Sequence, residues 1–345
     1  MSNKITEQYF TLGDFSQRAD EVLAQVTSTT GFVVEKEIFR RTIYDKNKVE
    51  SLIYNGTFQG KPAVLKLQGL KPEVEEATII TEFPNFNESK RVRPPFLYAH
   101  EAWTEERGYG YMITEYVEAP KIFKMPFATA QEMAVFAEFY QEYRNRTFPH
   151  RFPWMQVDTD DSIEFSVFRV DHWRKISENK GRLTVSDYAP QLARFYPLAV
   201  KHMRFIPIVF CHGHLTANDI HCLPDNLFVV HSNLFWSYRP QWYDLAFNIW
   251  ACLLHIRDTN YTIEQLLAYV ESWIGSYHKI PVVQEDKDFE RKMTIMLLER
   301  TMGSILVDLG ANDTFALEEN KPYFHHLLDL HQKFFDHLAQ KLENA

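Results

Sequence analysis

The stretch IVFCHGHLTANDI, Ile208 to Ile220, decides how this chain is read, together with the residues on its C-terminal side: His221, CLPDNLFVV (Cys222–Val230), HSNLFWSYRPQW (His231–Trp242) and YDLAFNIWACLL (Tyr243–Leu254). An apolar run, Ile206 to Phe210, meets a polar loop at His212-Gly213-His214. A second strand, Leu227 to Val230, delivers another polar loop at His231-Ser232-Asn233, and a helix starts near Tyr243. Strand, polar loop, strand, polar loop, helix is how a fold presents chemical groups at one place.

Outward from this stretch the two flanks differ. After Tyr243 the chain reads as helix to its end, in segments of roughly 243–257, 262–278, 286–308 and 321–342 with apolar spacing near 3.6. Gly275, Pro281, Gly310 and Pro322 punctuate them. Upstream, about Val185 to Met203 predicts a helix, with Pro190 and Pro197 marking a break or kink. Residues 147–183 read as irregular, with the acidic run Asp158, Asp160, Asp161 as a solvated loop. Thr129 to Arg146 predicts a helix opened by a Thr129/Glu132 capping box, with Met133, Phe136, Ala137, Tyr140 and Tyr143 as its apolar stripe.

The first third changes period. Asp14 to Thr27 predicts a helix, with Asp14 as N-cap and Phe15, Ala19, Val22, Leu23 and Val26 on one face. From Val33 to Leu67 the pattern is that of strands. Lys48–Phe58 and Pro62–Leu67 flank a Gln59-Gly60-Lys61 turn, which reads as a hairpin. Glu73–Phe83 reads as a short helix, and Tyr109–Val117 as a strand that stops before Ala119-Pro120. These patterns predict an α+β protein: an N-terminal helical extension (1–32), a small β-rich lobe (33–118) and a large helical lobe (119–345) that carries the segment 208–250.

Composition narrows the class. Lys and Arg number 37 against 46 Asp and Glu, a net charge of −9, which disfavours bulk nucleic-acid binding. No run approaches the ~20 apolar residues of a membrane span, and no apolar core near the start would make a signal peptide. The three cysteines, Cys211, Cys222 and Cys252, lack a framework spacing and suit a reducing, cytoplasmic setting.

The organising stretch resembles the aminoglycoside phosphotransferase and choline kinase branch of the protein-kinase-like fold. That family carries H-G-D-L-x-x-x-N-I, then I-D-W, then Y-D-L-A. His212, Gly213, Leu215, Ile220 and all of Tyr243-Asp244-Leu245-Ala246 match it. His214 stands where the family has its catalytic Asp, Asp219 where it has a metal-binding Asn, and Ser232 where it has the magnesium-binding Asp. The resemblance implies a bilobal protein-kinase-like fold, with a small antiparallel β lobe and a large mainly helical lobe. It also implies that Lys66 is the phosphate-binding lysine, with Glu76 as its ion-pair partner and Glu75 as the alternative. In MITEYVEAP, Glu115 and Val117 would hold an adenine edge through their backbone, with Thr114 behind. Phe39–Lys48, where kinases carry a Gly-rich loop, has no glycine. His212 and Asp244 are read as structural, Asp244 accepting from backbone amides of the histidine loop.

Three functions stand as expectations. The leading one is a degenerate pseudokinase that binds a nucleotide or metabolite in the interlobe cleft, with ATP and Mg2+ as weak cofactors and a protein partner as a further ligand. An atypical ATP-dependent small-molecule kinase would use His214 and Asp219 as catalytic groups, with Asp219 and Ser232 at the metal. A metal-binding protein would use the Cys/His cluster at 211–231, which includes Cys211, His212, His214, His221, Cys222 and His231. Phe235, Trp236, Tyr238 and Trp242 read either as a recognition surface or as packing against the C-terminal helices.

Overall fold

A computed structural model describes residues 15–42, 49–69, 71–72, 74–86, 89–147, 161–233, 237–312, 315 and 317–345. Asp14, Lys48 and most of the glycine-free turn, Asp158, Asp160, Phe235 and Trp236 lie outside them. The chain divides into two compact units: Met1–Ala119 with Leu223–Leu234, and Pro120–Cys222 with Phe235–Ala345.

The first unit opens with helix α1 (Phe15–Thr30), then β1 (Val33–Thr42), β2 (Val49–Phe58) and β3 (Lys61–Gln68). β2 and β3 form the expected hairpin, with Phe58 opposite Lys61. Gln59 and Gly60 both take positive φ (52° and 74°), the primed-turn geometry that suits strand twist and that Gly supplies without strain. After α2 (Glu76–Phe86) come β4 (Val92–Arg93), β5 (Leu97–Glu101) and β6 (Gly110–Glu115). The sheet is antiparallel, in the order β1-β2-β3-β6-β5. Its core forms because the two-residue period puts Leu52, Tyr54, Leu65, Leu67 and Ile113 in one buried cluster with Ala19, Val22 and Val26 of α1.

The second unit begins with α3 (Ala130–Thr147), whose capping box is formed as expected: Thr129 N donates to Glu132 Oε2 at 2.7 Å. Then comes α4 (Ser162–Lys180), where the sequence predicts irregular chain. Asp161 accepts from Ile163 N and Glu164 N as its N-cap, and Gly181 closes it at φ 67°. The missed signal was this cap pair, which flanks a helix lacking a clean apolar stripe. A short 3-10 turn, Val185–Asp187, precedes α5 (Ala189–His202), so Pro190 falls in the first turn of the helix and Pro197 within it. Strands β7 (Ile208–Cys211) and β8 (Ile220–Leu223) come next. The chain then gives β9 (Leu227–Val230) to the first unit, where it pairs in parallel with β4, Phe228 opposite Val92. Sequence pattern alone places this segment in the large lobe.

Back in the second unit, β10 (Ser237–Pro240) pairs antiparallel with β7. Helices α6 (Tyr243–Leu254), α7 (Ile263–Tyr277), α8 (Pro281–Gln284), α9 (Phe289–Gly303) and α10 (Lys321–Glu343) complete it, with a π-helical segment, Ser304–Leu309, after α9. Trp242 is 1% exposed, and its Nε1 donates to Asp286 Oδ2 at 2.6 Å. Tyr238 is buried against Phe210. These two aromatics therefore serve packing and not a recognition surface. Among the described residues no helix is long and apolar enough to cross a membrane.

One packed histidine carries a pH prediction. His331 on α10 is 1% exposed, its Nδ1 lies 2.8 Å from Leu327 O, and burial pushes its pKa down to about 4. Above pH ~6.5 both folded and unfolded states hold it neutral. As pH falls from 6.5 toward 4 the unfolded chain takes the proton first, so about 3 kcal/mol of stability is lost. Asp308 works the other way. Burial raises its carboxyl to about 6, so its contribution is present at low pH and is lost as pH rises through 6. Wild type should therefore show a muted acid response. His331→Leu should gain stability relative to wild type as pH drops from 7 to 4 in urea unfolding. A difference that does not change with pH would show that His331 is solvated.

Candidate functional site

In the first unit the alternation of β3 sends Leu65 and Leu67 toward α1, leaving Lys66 on the opposite face. Lys66 is 8% exposed, and its Nζ donates to Glu76 Oε2 at 2.7 Å. A buried ammonium needs such a counter-charge. Glu75 is not that partner: its Oε1 accepts the Trp103 amide at 2.8 Å. Glu76 has a second role, since its Oε1 accepts the Asn233 amide at 2.8 Å. Asn233 is wholly buried, and its Nδ2 donates to Val230 O at 3.0 Å. One carboxylate thus ties β3 to the segment that carries Ser232, which sits at φ 60°. Asn233 was in the polar triplet picked out from sequence, but its partner lies 157 residues away.

The hinge-like strand is β6. Thr114 is 4% exposed and Val117 is 7% exposed. The Glu115 side chain is held by Arg93 through two hydrogen bonds, at 2.6 and 2.8 Å, and accepts the Phe96 amide at 2.8 Å. This bidentate pair fixes the end of β6. Arg93, which sequence reasoning passed over, supplies it.

In the second unit Asp244, at the start of α6, accepts the His212 amide at 3.1 Å and the Gly213 amide at 2.8 Å. It is 1% exposed. Burial raises its carboxyl pKa against the pull of His212 and these two donors. Gly213 turns the loop at φ 74°. Beyond it, His214 is 40% exposed at its side chain, and its Nδ1 lies 3.7 Å from Asp219 Oδ2. The Asp219 carboxylate is engaged locally: Oδ2 accepts Thr216 N at 2.9 Å and Thr216 Oγ1 at 2.6 Å, closing a capping box. Lys121 Nζ lies 2.6 Å from His221 Nε2, and burial lowers its pKa while Asp219 pulls the other way. So Lys66, Glu76, Thr114, Glu115, Val117 and Ser232 belong to the first unit, and His214 and Asp219 to the second.

The Cys/His reading is corrected. Among the described residues no group of three or more His, Cys, Asp or Glu could hold a metal ion. Burial pushes the Cys211 thiol far up and that of Cys222 to about 11, so both are inert thiols in this fold.

The chain matches no protein-family model and no curated protein. Its fold is that of solved aminoglycoside phosphotransferases and related kinases, the protein-kinase-like class. Aminoglycoside phosphotransferase APH(4)-Ia, solved as a thermostable mutant with ADP and hygromycin B, superposes with a TM-score of 0.58 at 9% identity, over 92% of this chain and 98% of its own. The amicoumacin kinase hAmiN, solved with AMP-PNP, Ca2+ and Ami, gives 0.61 at 12% identity, over 92% and 95%. An aminoglycoside phosphotransferase from Alicyclobacillus acidocaldarius gives 0.53 at 14%, over 90% and 93%. At these identities the likeness is one of fold.

Proposed function

We propose that this is a phosphotransferase-like protein of degenerate catalytic type, a cytoplasmic pseudokinase that binds a nucleotide weakly and takes a small molecule at its kinase-like site, with a protein partner reading its state. The observation that carries this is the buried Lys66–Glu76 pair, tied through Asn233 to a segment whose key residue is the neutral Ser232. Lys66 would give its remaining donors to phosphate oxygens. The backbone of Glu115 and Val117 would take the adenine edge, with Thr114 behind. The fold neighbours solved with ADP or AMP-PNP support a nucleotide as the ligand class.

The residues present fit magnesium poorly. Ser232 offers a neutral oxygen, and Asp219 Oδ2 already accepts two bonds from Thr216. The expected result is weak ATP binding by calorimetry that barely changes on adding Mg2+. Ser232→Asp should then make binding magnesium-dependent by about tenfold, and His214→Asp alone should not. The second reading, an atypical kinase, draws on the half-exposed His214 beside Asp219. Strong magnesium-dependent phosphotransfer by wild type, abolished in His214→Ala, would replace the pseudokinase reading with that one.

A further inference from the structure

α4, β10, α6 and α9 of the second unit bring three arginines into one aromatic layer. Arg169 of α4 lies with its guanidinium 4.8 Å from the Tyr243 ring, 4.8 Å from Phe165 and 4.6 Å from Trp173. Arg239 of β10 shares the Phe165 ring at 5.1 Å. Arg300 of α9 shares Trp173 at 5.0 Å and lies 3.9 Å over Trp250. The Tyr243 hydroxyl links two of the three, accepting from Arg169 Nη2 at 2.9 Å and from Arg300 Nη1 at 3.5 Å. The cluster is contiguous with the histidine loop. The His214 ring lies 4.8 Å from the Phe247 ring, and Arg300 lies 5.0 Å from that same ring.

The charge in this layer is out of balance. Glu299 pairs with Arg169 at 2.9 Å, and Asp308 stands 3.9 Å from Arg300. Arg239 makes no ion pair among the described residues; its Nη1 donates only to the neighbouring Tyr238 carbonyl at 2.9 Å. The Nε–H donors of Arg169, Arg239 and Arg300 are buried, and each lacks an acceptor among the described residues. Burial, and then the field of Arg169, lower the pKa of Arg239. Buried donors and charges left unanswered are costly, and native proteins rarely keep them without a use. A planar guanidinium matches an oxyanion through paired donors, and aromatic walls hold it flat for that purpose.

We propose that Arg169, Arg239 and Arg300 form a binding site for a small molecule carrying an oxyanion, a carboxylate or a phosphate ester. The site adjoins His214, and its three guanidiniums face only the carboxylates of Glu299 and Asp308 among the described residues, so the molecule it takes is anionic. That this is the small molecule of the kinase-like site rests on the function proposed above; the anion binding itself does not.

The test is calorimetric titration of the full chain, without nucleotide, with inorganic phosphate and with citrate, against chloride at matched ionic strength. Hygromycin B serves as a cationic probe. Wild type should bind phosphate, citrate or both, which tells phosphate ester from carboxylate, and should bind them in preference to hygromycin B. Arg239→Gln should weaken that binding at least about tenfold. Arg239→Lys, which keeps the charge but loses the planar fork, should fall between, and the exposed Arg204→Gln should match wild type. Adenosine, which carries no oxyanion, should bind Arg239→Gln as it binds wild type, separating this site from the adenine-binding strand. Failure of wild type to bind either anion, or equal binding by wild type and both Arg239 variants, would overturn the proposal while leaving the nucleotide reading intact. Anion binding that depends on Arg239 in a chain that binds no adenosine would sustain the site and remove the pseudokinase reading.

Discussion

Glu76→Ala should destabilise the first unit by about 3–5 kcal/mol, because it leaves an ammonium buried without its counter-charge. The Lys66 side chain is 10% exposed and that of Glu76 is 9% exposed, so water cannot take over the solvation. The same change removes the acceptor of the Asn233 amide. Two segments far apart in sequence, β3 and the 231–233 loop, should therefore lose amide-exchange protection together. Glu75→Ala is the internal contrast: it removes one acceptor from the Trp103 amide and strands no charge, so about 1 kcal/mol is expected. Replacing both members of the pair, Lys66→Met with Glu76→Leu, should recover most of the loss, since an apolar pair of like volume avoids the desolvation cost. A loss below about 1 kcal/mol in Glu76→Ala, with the 231–233 amides still protected, would show that the pair is solvated and that Glu76 does not hold the loop.

Asp244→Ala should produce the next largest loss, about 1–3 kcal/mol in all, because buried amides are left without their acceptor. There are two such amides, those of His212 and Gly213, and Asp244 is 1% exposed. The effect should be local to the second unit, with exchange rising across residues 211–214 and at the start of α6 while β2 and β3 are untouched. Asp244→Asn keeps one acceptor oxygen and should lie between wild type and alanine. The loop that presents His214 is shaped by this carboxylate, so the variant should also disturb any step that uses His214. An unchanged melting temperature would mean that the loop holds itself.

Much of the scaffold was legible from residues a few positions apart. The Gln59-Gly60 turn, the Thr129/Glu132 capping box and the stripe of α3 are settled by contacts within one or two turns of chain, so spacing alone reports them. The Asp244 reading was legible because the matched HG and YDLA motifs imply that contact, and the structure contains it. α4 was missed for a local reason too. Its caps, Asp161 and Gly181, were present in the letters, but its faces mix Arg169 and Trp173 with Phe165, which hides a periodicity that counts only apolar residues.

The rest depended on where chain segments meet. Sequence named two glutamates for Lys66 with little to separate them. Only the fold of the first unit gives Glu76 the ammonium and Glu75 the Trp103 amide. The turn of chain that buries Trp242 against Phe289, and so withdraws it from any recognition surface, is likewise a tertiary fact. The arginine layer is the fullest case. Arg169, Arg239 and Arg300 look like three ordinary charges spread over ~130 residues, and although Arg239 lies in the aromatic stretch Phe235–Trp242, nothing in sequence joins it to the other two. Whether a guanidinium is solvated or buried among rings is set by the elements packed around it, and burial is what turns an ordinary charge into an unanswered one. Sequence determined which elements form and how they are capped, because those energies are short-range. The tertiary structure alone decided which charges are paired and which are left to a ligand, because that depends on desolvation by residues distant in the chain.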